Sequence, residues 1–125
     1  MAFKVLVAED DSDIRFALDL LLSMEGYSVI TAEDGEKAFQ LAKFEDPDLI
    51  ITDISMPKLT GVELTRRIRH DRTLAGKKVL AISAYGEKPR QEILDAGANC
   101  FIAKPIDIDR LLPKIALLTG NTTNH

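Results

Sequence analysis

The sequence predicts an α/β fold in which helices cover both faces of a five-stranded parallel sheet. Five short apolar runs alternate with segments whose apolar residues recur at helical spacing. The strand runs are apolar almost without interruption, as strands buried on both faces are. The 125 residues suit one domain, since a chain of this length can bury enough surface for a single core.

The first half of the chain predicts three strands and two helices in alternation. The strands cover residues 3–8, 27–32 and 48–53. Ser12 is predicted to cap the first helix, whose apolar stripe ends before Gly26. Asp34 and Gly35 then turn the chain into the second helix, which Pro47 stops.

The second half continues the alternation with three further helices. The remaining strands cover residues 78–83 and 99–103. Gly61 is predicted to take a positive φ just before the third helix, and Gly97 closes a fourth helix. The last helix carries an apolar stripe formed by Ile108, Leu111, Leu112, Ile115 and Leu118. The folded domain is expected over residues 1–119, with 120–125 as a polar tail or the start of a linker.

Charge and composition exclude several classes of protein. Sixteen Lys and Arg oppose twenty Asp and Glu, and the net charge of −4 makes a general binder of nucleic acid or anionic membrane unfavourable. A basic helix face of Arg66, Arg67 and Arg69 is interpreted as solvent-facing, because no helix-turn-helix pattern accompanies it. No apolar run approaches the roughly 20 residues that span a bilayer, and no secretory signal is visible, so a cytoplasmic location is expected.

The single cysteine, Cys100, limits the chemistry further. It excludes an internal disulfide framework and a cysteine-based structural zinc site. Its apolar neighbours in the fifth predicted strand indicate a buried packing thiol.

Polar residues collect where the predicted strands end. Glu9 and Asp10 follow the first strand, Asp53 ends the third, Ser83 ends the fourth and Lys104 follows the fifth. Parallel strands share one carboxyl edge, where ligands bind at a switch in strand order. Crowded carboxylates repel one another, and hard oxygen ligands suit Mg²⁺. A lysine and a hydroxyl beside them complete the parts needed for phosphoryl transfer to Asp53.

Four motifs at these strand ends resemble the response-regulator receiver family of two-component signalling, above all its chemotaxis-type members. They are VAEDD at 7–11, DISMP at 53–57 with Gly61, SA at 83–84 and KP at 104–105. The resemblance covers about residues 3–118, nearly the whole chain. It implies a flavodoxin-like, doubly wound sheet with strand order 2-1-3-4-5.

The resemblance also implies a chemical role for each residue of the cluster. Asp53 would be the phosphoacceptor, loaded by a histidine kinase or a histidine phosphotransfer protein. Glu9, Asp10 and Asp53, with the Ser55 carbonyl, would hold Mg²⁺ or Mn²⁺, and Lys104 would contact the phosphoryl group. Such a domain catalyses its own phosphorylation and slow dephosphorylation, and is not otherwise an enzyme. Glu9 departs from the aspartate common in the family, which favours a water-mediated role for it.

The switch and the output follow from the same resemblance. Ser83 and Phe101 would form the switch, and Ser55 and Tyr85 would tune how long the phosphate lasts. Phe101 lacks a tyrosine hydroxyl, so its part in a switch would depend on ring packing. The last strand and the helices beside it would bind a downstream effector or a missing output domain, or form a homodimer. Neither nucleic acid nor a membrane is expected to bind directly.

Three alternative functions differ at identifiable positions. A phosphatase of the haloacid dehalogenase type would need a second acid two residues after Asp53, where Ser55 stands. A flavodoxin-like binding module would need a glycine- or hydroxyl-rich phosphate loop after the first strand, where acids stand instead. A pseudo-receiver would lack part of the acceptor, metal or lysine set, which is intact here.

Overall fold

The computed structural model describes residues 2–84 and 86–121, and in them five strands alternate with five helices. The strands are β1 Lys4–Ala8, β2 Ser28–Ala32, β3 Leu49–Asp53, β4 Lys78–Ser83 and β5 Cys100–Ala103. The helices are α1 Ser12–Met24, α2 Gly35–Glu45, α3 Gly61–His70, α4 Arg90–Asp95 and α5 Ile108–Thr119. Each predicted strand begins within one residue of its observed start.

All four strand pairings are parallel, and the sheet order is β2-β1-β3-β4-β5. The predicted doubly wound, flavodoxin-like architecture is therefore confirmed. The order reverses between β1 and β3, where Ala8 lies opposite Thr52. This register places the residue after β1 beside the last residue of β3, at the switch point where ligands of such sheets bind.

Two apolar cores lie on opposite faces of the sheet, because successive strand residues point to opposite sides. Leu6 and Ile50 belong to the core that packs under α2, α3 and α4. Val5, Val7 and Leu49 belong to the other core, under α1 and α5. Both faces of the central strands are thus buried, which explains their uninterrupted apolar sequence.

Two predictions about how helices begin were wrong, each for a steric or hydrogen-bonding reason. Asp11, and not Ser12, is the N-cap of α1, and its side chain accepts from the backbone N–H groups of Asp13 and Ile14 at 2.9 and 3.2 Å. Gly61 has no positive φ; the left-handed residue of this loop is Lys58, at φ 68°. A Cβ on Gly61 would lie 2.4 Å from the backbone oxygen of Asp53, so glycine is needed there for close approach.

The basic face predicted for α3 is only partly solvent-facing. Arg69 is half-buried and donates to the carbonyl oxygens of Gly97, Ala75 and Lys77 and to the side chain of Asn99. The prediction that all three arginines face solvent was therefore wrong for this one. Its side chain joins the end of α3 to the loops that precede β4 and β5.

The two ends of the last element complete the fold. Cys100 is only partly buried, at the margin of the α1/α5 core, and not fully enclosed as predicted. Gly120 caps α5 with a left-handed conformation, and Asn121 donates to the Tyr27 hydroxyl at 3.3 Å. Residues 122–125 of the predicted tail lie outside the described residues. Within the described residues, every helix is too short or too polar to traverse a bilayer.

Candidate functional site

Three predicted acidic residues meet at the carboxyl edge of the sheet. Glu9 follows β1 and Asp53 ends β3, and both side chains are almost fully buried, at 2% and 5% exposure. Asp10 is exposed beside them. One carboxylate oxygen from each lies within 4.8 Å of the other two. The cluster is therefore buried on one side and open to solvent on the other.

Lys104 reaches this cluster from the end of β5. Its Nζ lies 3.2 Å from Asp53 Oδ2 and 3.3 Å from Glu9 Oε1. The backbone N–H of Lys104 donates to the Ser83 carbonyl at 2.7 Å, which fixes where the side chain departs. Burial acts to lower the pKa of Lys104, but the charges of Asp53 and Glu9 outweigh it and the pKa lies above its usual value. The ammonium group therefore stays protonated.

One lysine does not balance three carboxylates. Burial raises the pKa of Glu9 from 4.5 to about 7; the Asp11 backbone N–H opposes this rise, and the nearby charge of Asp53 adds to it. The raised pKa follows first from burial of the carboxyl group and then from the second carboxylate beside it. Hard carboxylate oxygens with one open side match what Mg²⁺ requires, since it keeps several waters. The donor set therefore fits a magnesium ion.

Arg15 belongs to this site although the sequence did not single it out. Its guanidinium donates to the carbonyl oxygens of Glu9 at 2.8 Å and Asp10 at 3.4 Å, and so holds the loop between β1 and α1. A lone arginine on a helix resembles any solvated charge in sequence. The signal available was its position one turn after the acidic pair, where the helix returns over the loop.

Ser55 lies on the loop that follows Asp53. Its side chain is exposed, and its backbone N–H approaches Asp53 Oδ1 at 3.4 Å, a long hydrogen bond. The loop thus folds back over the carboxylate that precedes it. The role of the Ser55 carbonyl as a metal ligand stays a prediction.

The two predicted switch residues lie on neighbouring strands. Ser83 is fully buried at the end of β4, between the strands that carry Asp53 and Lys104. Phe101 in β5 is 6% exposed, and the Arg90 guanidinium lies over its ring, 5.6 Å from the centroid. A groove of about 380 Å³, lined in part by Arg90 and Phe101, runs between α4, β5 and α5. Tyr85, predicted to tune phosphate lifetime, lies outside the described residues.

Comparison with known sequences gives a match over most of the chain. Residues 5–116 match the response regulator receiver domain family. The response regulator MprA of Mycolicibacterium vanbaalenii is 36% identical over 124 residues, covering 98% of this chain and 53% of that protein. The DNA-binding dual master transcriptional regulator RpaA of Synechocystis is 33% identical over 120 residues, covering 95% and 50%. The chain thus spans about half the length of the curated relatives it matches.

Solved structures agree in fold. The chemotaxis response regulator CheY4 of Vibrio cholerae superposes with a TM-score of 0.87 at 29% identity, covering 94% of this chain and 99% of that one. The receiver domain of the sensor histidine kinase PA1611 from Pseudomonas aeruginosa gives a TM-score of 0.88 at 27% identity, covering 96% and 99%. That structure contains a magnesium ion coordinated in its active site cleft.

Proposed function

The chain belongs to the response regulator receiver domain family, and on this premise we propose that it takes a phosphoryl group on Asp53 and transmits the change to a partner. The observation that carries the proposal is the burial of Asp53 between Glu9 and Lys104, beside the exposed Asp10. A buried aspartate with a lysine at 3.2 Å and open space on one side suits a nucleophile better than a structural ion pair.

Asp53 acts as the nucleophile. One carboxylate oxygen forms a bond to phosphorus as the bond from phosphorus to the donor's imidazole nitrogen breaks, and the electron pair returns to that nitrogen. Glu9, Asp10, Asp53 and the Ser55 carbonyl would hold Mg²⁺, which supplies charge neutralisation at the phosphoryl oxygens when bound. Lys104 already contacts Asp53, and it follows the negative charge outward onto the phosphoryl group.

Ser83 and Phe101 carry the change away from the site. The Ser83 hydroxyl turns toward a phosphoryl oxygen, and Phe101 repacks beside it, which alters the groove between α4, β5 and α5. Phosphorylation need only shift an equilibrium between two packings of these residues. The tuning of phosphate lifetime by Ser55 and Tyr85 stays a prediction.

The partners follow from the same role. The donor would be a histidine kinase or a histidine phosphotransfer protein. The recipient would be a downstream effector or an output domain, and a homodimer through β5, α4 and α5 is a further arrangement. The acidic balance of the domain argues that it does not itself contact nucleic acid or a membrane.

Intact-mass measurement after incubation with a small phosphodonor and Mg²⁺ tests the proposal. Wild type should gain one phosphoryl group that hydroxylamine removes, because hydroxylamine attacks acyl phosphates. Asp53→Asn should gain none, and Asp95→Asn, an exposed aspartate on α4, should match wild type. Equal addition to Asp53→Asn would place the acceptor elsewhere, and no addition to wild type would favour the pseudo-receiver.

A further inference from the structure

The loop over residues 54–60 connects Asp53 to α3 and contains the proposed ligand Ser55. Its two ends are fixed by backbone hydrogen bonds, from Ile54 N to Ile82 O at 2.9 Å and from Gly61 N to Ile54 O at 2.8 Å. Its middle turns sharply at Lys58, whose φ is 68°. A loop held this tightly has little freedom to absorb a displacement.

The first turn of α2 packs closely against this loop. Gly35 is buried there, and a Cβ on it would lie 2.1 Å from the Leu59 backbone oxygen and 2.6 Å from Leu59 Cβ. Neither atom can move away by rotating a side chain, since one is a backbone atom and the other is bonded directly to Cα. The glycine therefore sets how closely the loop can seat on α2.

Asp34 ties the same turn to the loop by charge. It is buried, and its Oδ1 caps α2 by accepting from the Lys37 N–H at 2.8 Å. Its Oδ2 lies 3.7 Å from the Nζ of Lys58, the left-handed residue of the loop. One carboxylate thus caps the helix and also forms an ion pair with the loop.

We propose that the Asp34–Gly35 turn is a positioning element that sets the Mg²⁺ affinity of the site through the loop over residues 54–60. A methyl group on Gly35 displaces Leu59. The other end of the loop has little room to move toward β3, because even a Cβ on Gly61 would lie 2.4 Å from the Asp53 backbone oxygen. The displacement then moves the Ser55 carbonyl, and Mg²⁺ tolerates little departure from octahedral geometry. This inference rests on the proposed function.

Titration of the folded, unphosphorylated protein with MgCl₂, followed by amide NMR, tests the proposal. Gly35→Ala should bind Mg²⁺ about tenfold more weakly than wild type, as loss of supporting contacts around a metal does. Gly76→Ala is the matched control, because a Cβ there meets nothing within 4 Å and the backbone φ needs no glycine. It should retain wild-type affinity. Destabilisation alone does not change a dissociation constant measured on folded protein.

The outcomes separate this inference from the proposed function. Wild type that shows no response to Mg²⁺ contradicts the function itself. Wild type that binds while Gly35→Ala binds equally well overturns the inference alone. If Gly35→Ala does not fold, Asp34→Asn decides, since asparagine still caps α2 and only the charge facing Lys58 is lost. Its affinity should fall about threefold, because the Lys58 end of the pair is exposed and the attraction is weak, and an unchanged affinity rejects the positioning role.

Discussion

The two edges of the sheet treat charge in opposite ways. At the carboxyl edge, Glu9 and Asp53 share one lysine with the Asp10 carboxylate beside them, and burial raises the pKa of Glu9 to about 7. At the amino edge, Asp71 accepts from Lys43 and from Thr73, and these contacts lower its pKa to about 2. Lys77 pairs with Asp46 at the same edge.

The paired charges at the amino edge stabilise the fold, whereas the crowded carboxylates at the carboxyl edge do not. Among the described residues, Asp71, Asp46 and Arg69 at the amino edge all have partners of opposite charge or carbonyl acceptors within the domain. The carboxyl edge carries an uncompensated negative charge, which a cation and a phosphoryl group can change. Where carboxylates repel one another, a bound cation or an added group changes the electrostatic energy of the site strongly.

The largest effect is expected from breaking the amino edge. Arg69→Ala removes the donor to three carbonyl groups and one of the two donors to Asn99 Oδ1, which keeps the Val79 N–H, and should lower the free energy of unfolding by about 3 kcal/mol. Urea unfolding measures this loss, with the exposed Arg72→Ala as the control that should stay near wild type. A loss no greater than that of Arg72→Ala would mean that the amino edge is not specially stabilised.

The carboxyl edge should respond to pH in the metal-free protein. Glu9 binds a proton more tightly in the folded state than in the unfolded state, so the free energy of unfolding falls as pH rises from 4.5 to about 7. After a discount for screening at the open side of the cluster, we expect a fall of about 2 kcal/mol. Glu9→Gln should flatten the profile in this window. If the free energy of unfolding of wild type did not change over this pH range, the pKa of Glu9 would not be raised in the folded state.

Magnesium should relieve the same conflict at neutral pH. At ten times its dissociation constant, Mg²⁺ should stabilise wild type by about 1.4 kcal/mol through linkage. Thermal melts with and without millimolar MgCl₂ measure the gain. Asp10→Asn removes a proposed ligand and should lose most of it, whereas Arg69→Ala should keep it. Equal gains in wild type and Asp10→Asn would exclude Asp10 as a ligand.

The smallest expected effect is a gain in stability when one carboxylate is removed from the carboxyl edge. Without metal, Asp10→Asn should stabilise the fold by about 1 kcal/mol, because it removes one of three mutually repelling carboxylates. Asp13→Asn is the control, since that exposed acid lies in the first turn of α1 and is favoured by the helix dipole. Its melting temperature should not rise. A fall in the melting temperature of Asp10→Asn would contradict charge crowding.

Alternating apolar runs were enough to predict the element order, because strands buried on both faces leave a strong pattern. The ends of elements were less predictable. Asp11 and Ser12 are equally good caps by residue type, and only the backbone path decided that Asp11 accepts the first free N–H groups. Gly61 was singled out for the wrong reason, since the close approach of the start of α3 to the last carbonyl of β3 is not visible in local sequence.

The order of strands and helices and the types of residue at each strand end could be predicted from the amino-acid sequence. Those properties depend on local periodicity and composition, which neighbours along the chain record. Three contacts were visible only in the folded structure. Lys104 lies between Glu9 and Asp53, Arg15 donates to the acidic loop, and Gly35 packs against the loop after Asp53. These contacts depend on strand order and on the close packing of backbone segments, and a single sequence does not encode the distances between residues far apart in the chain.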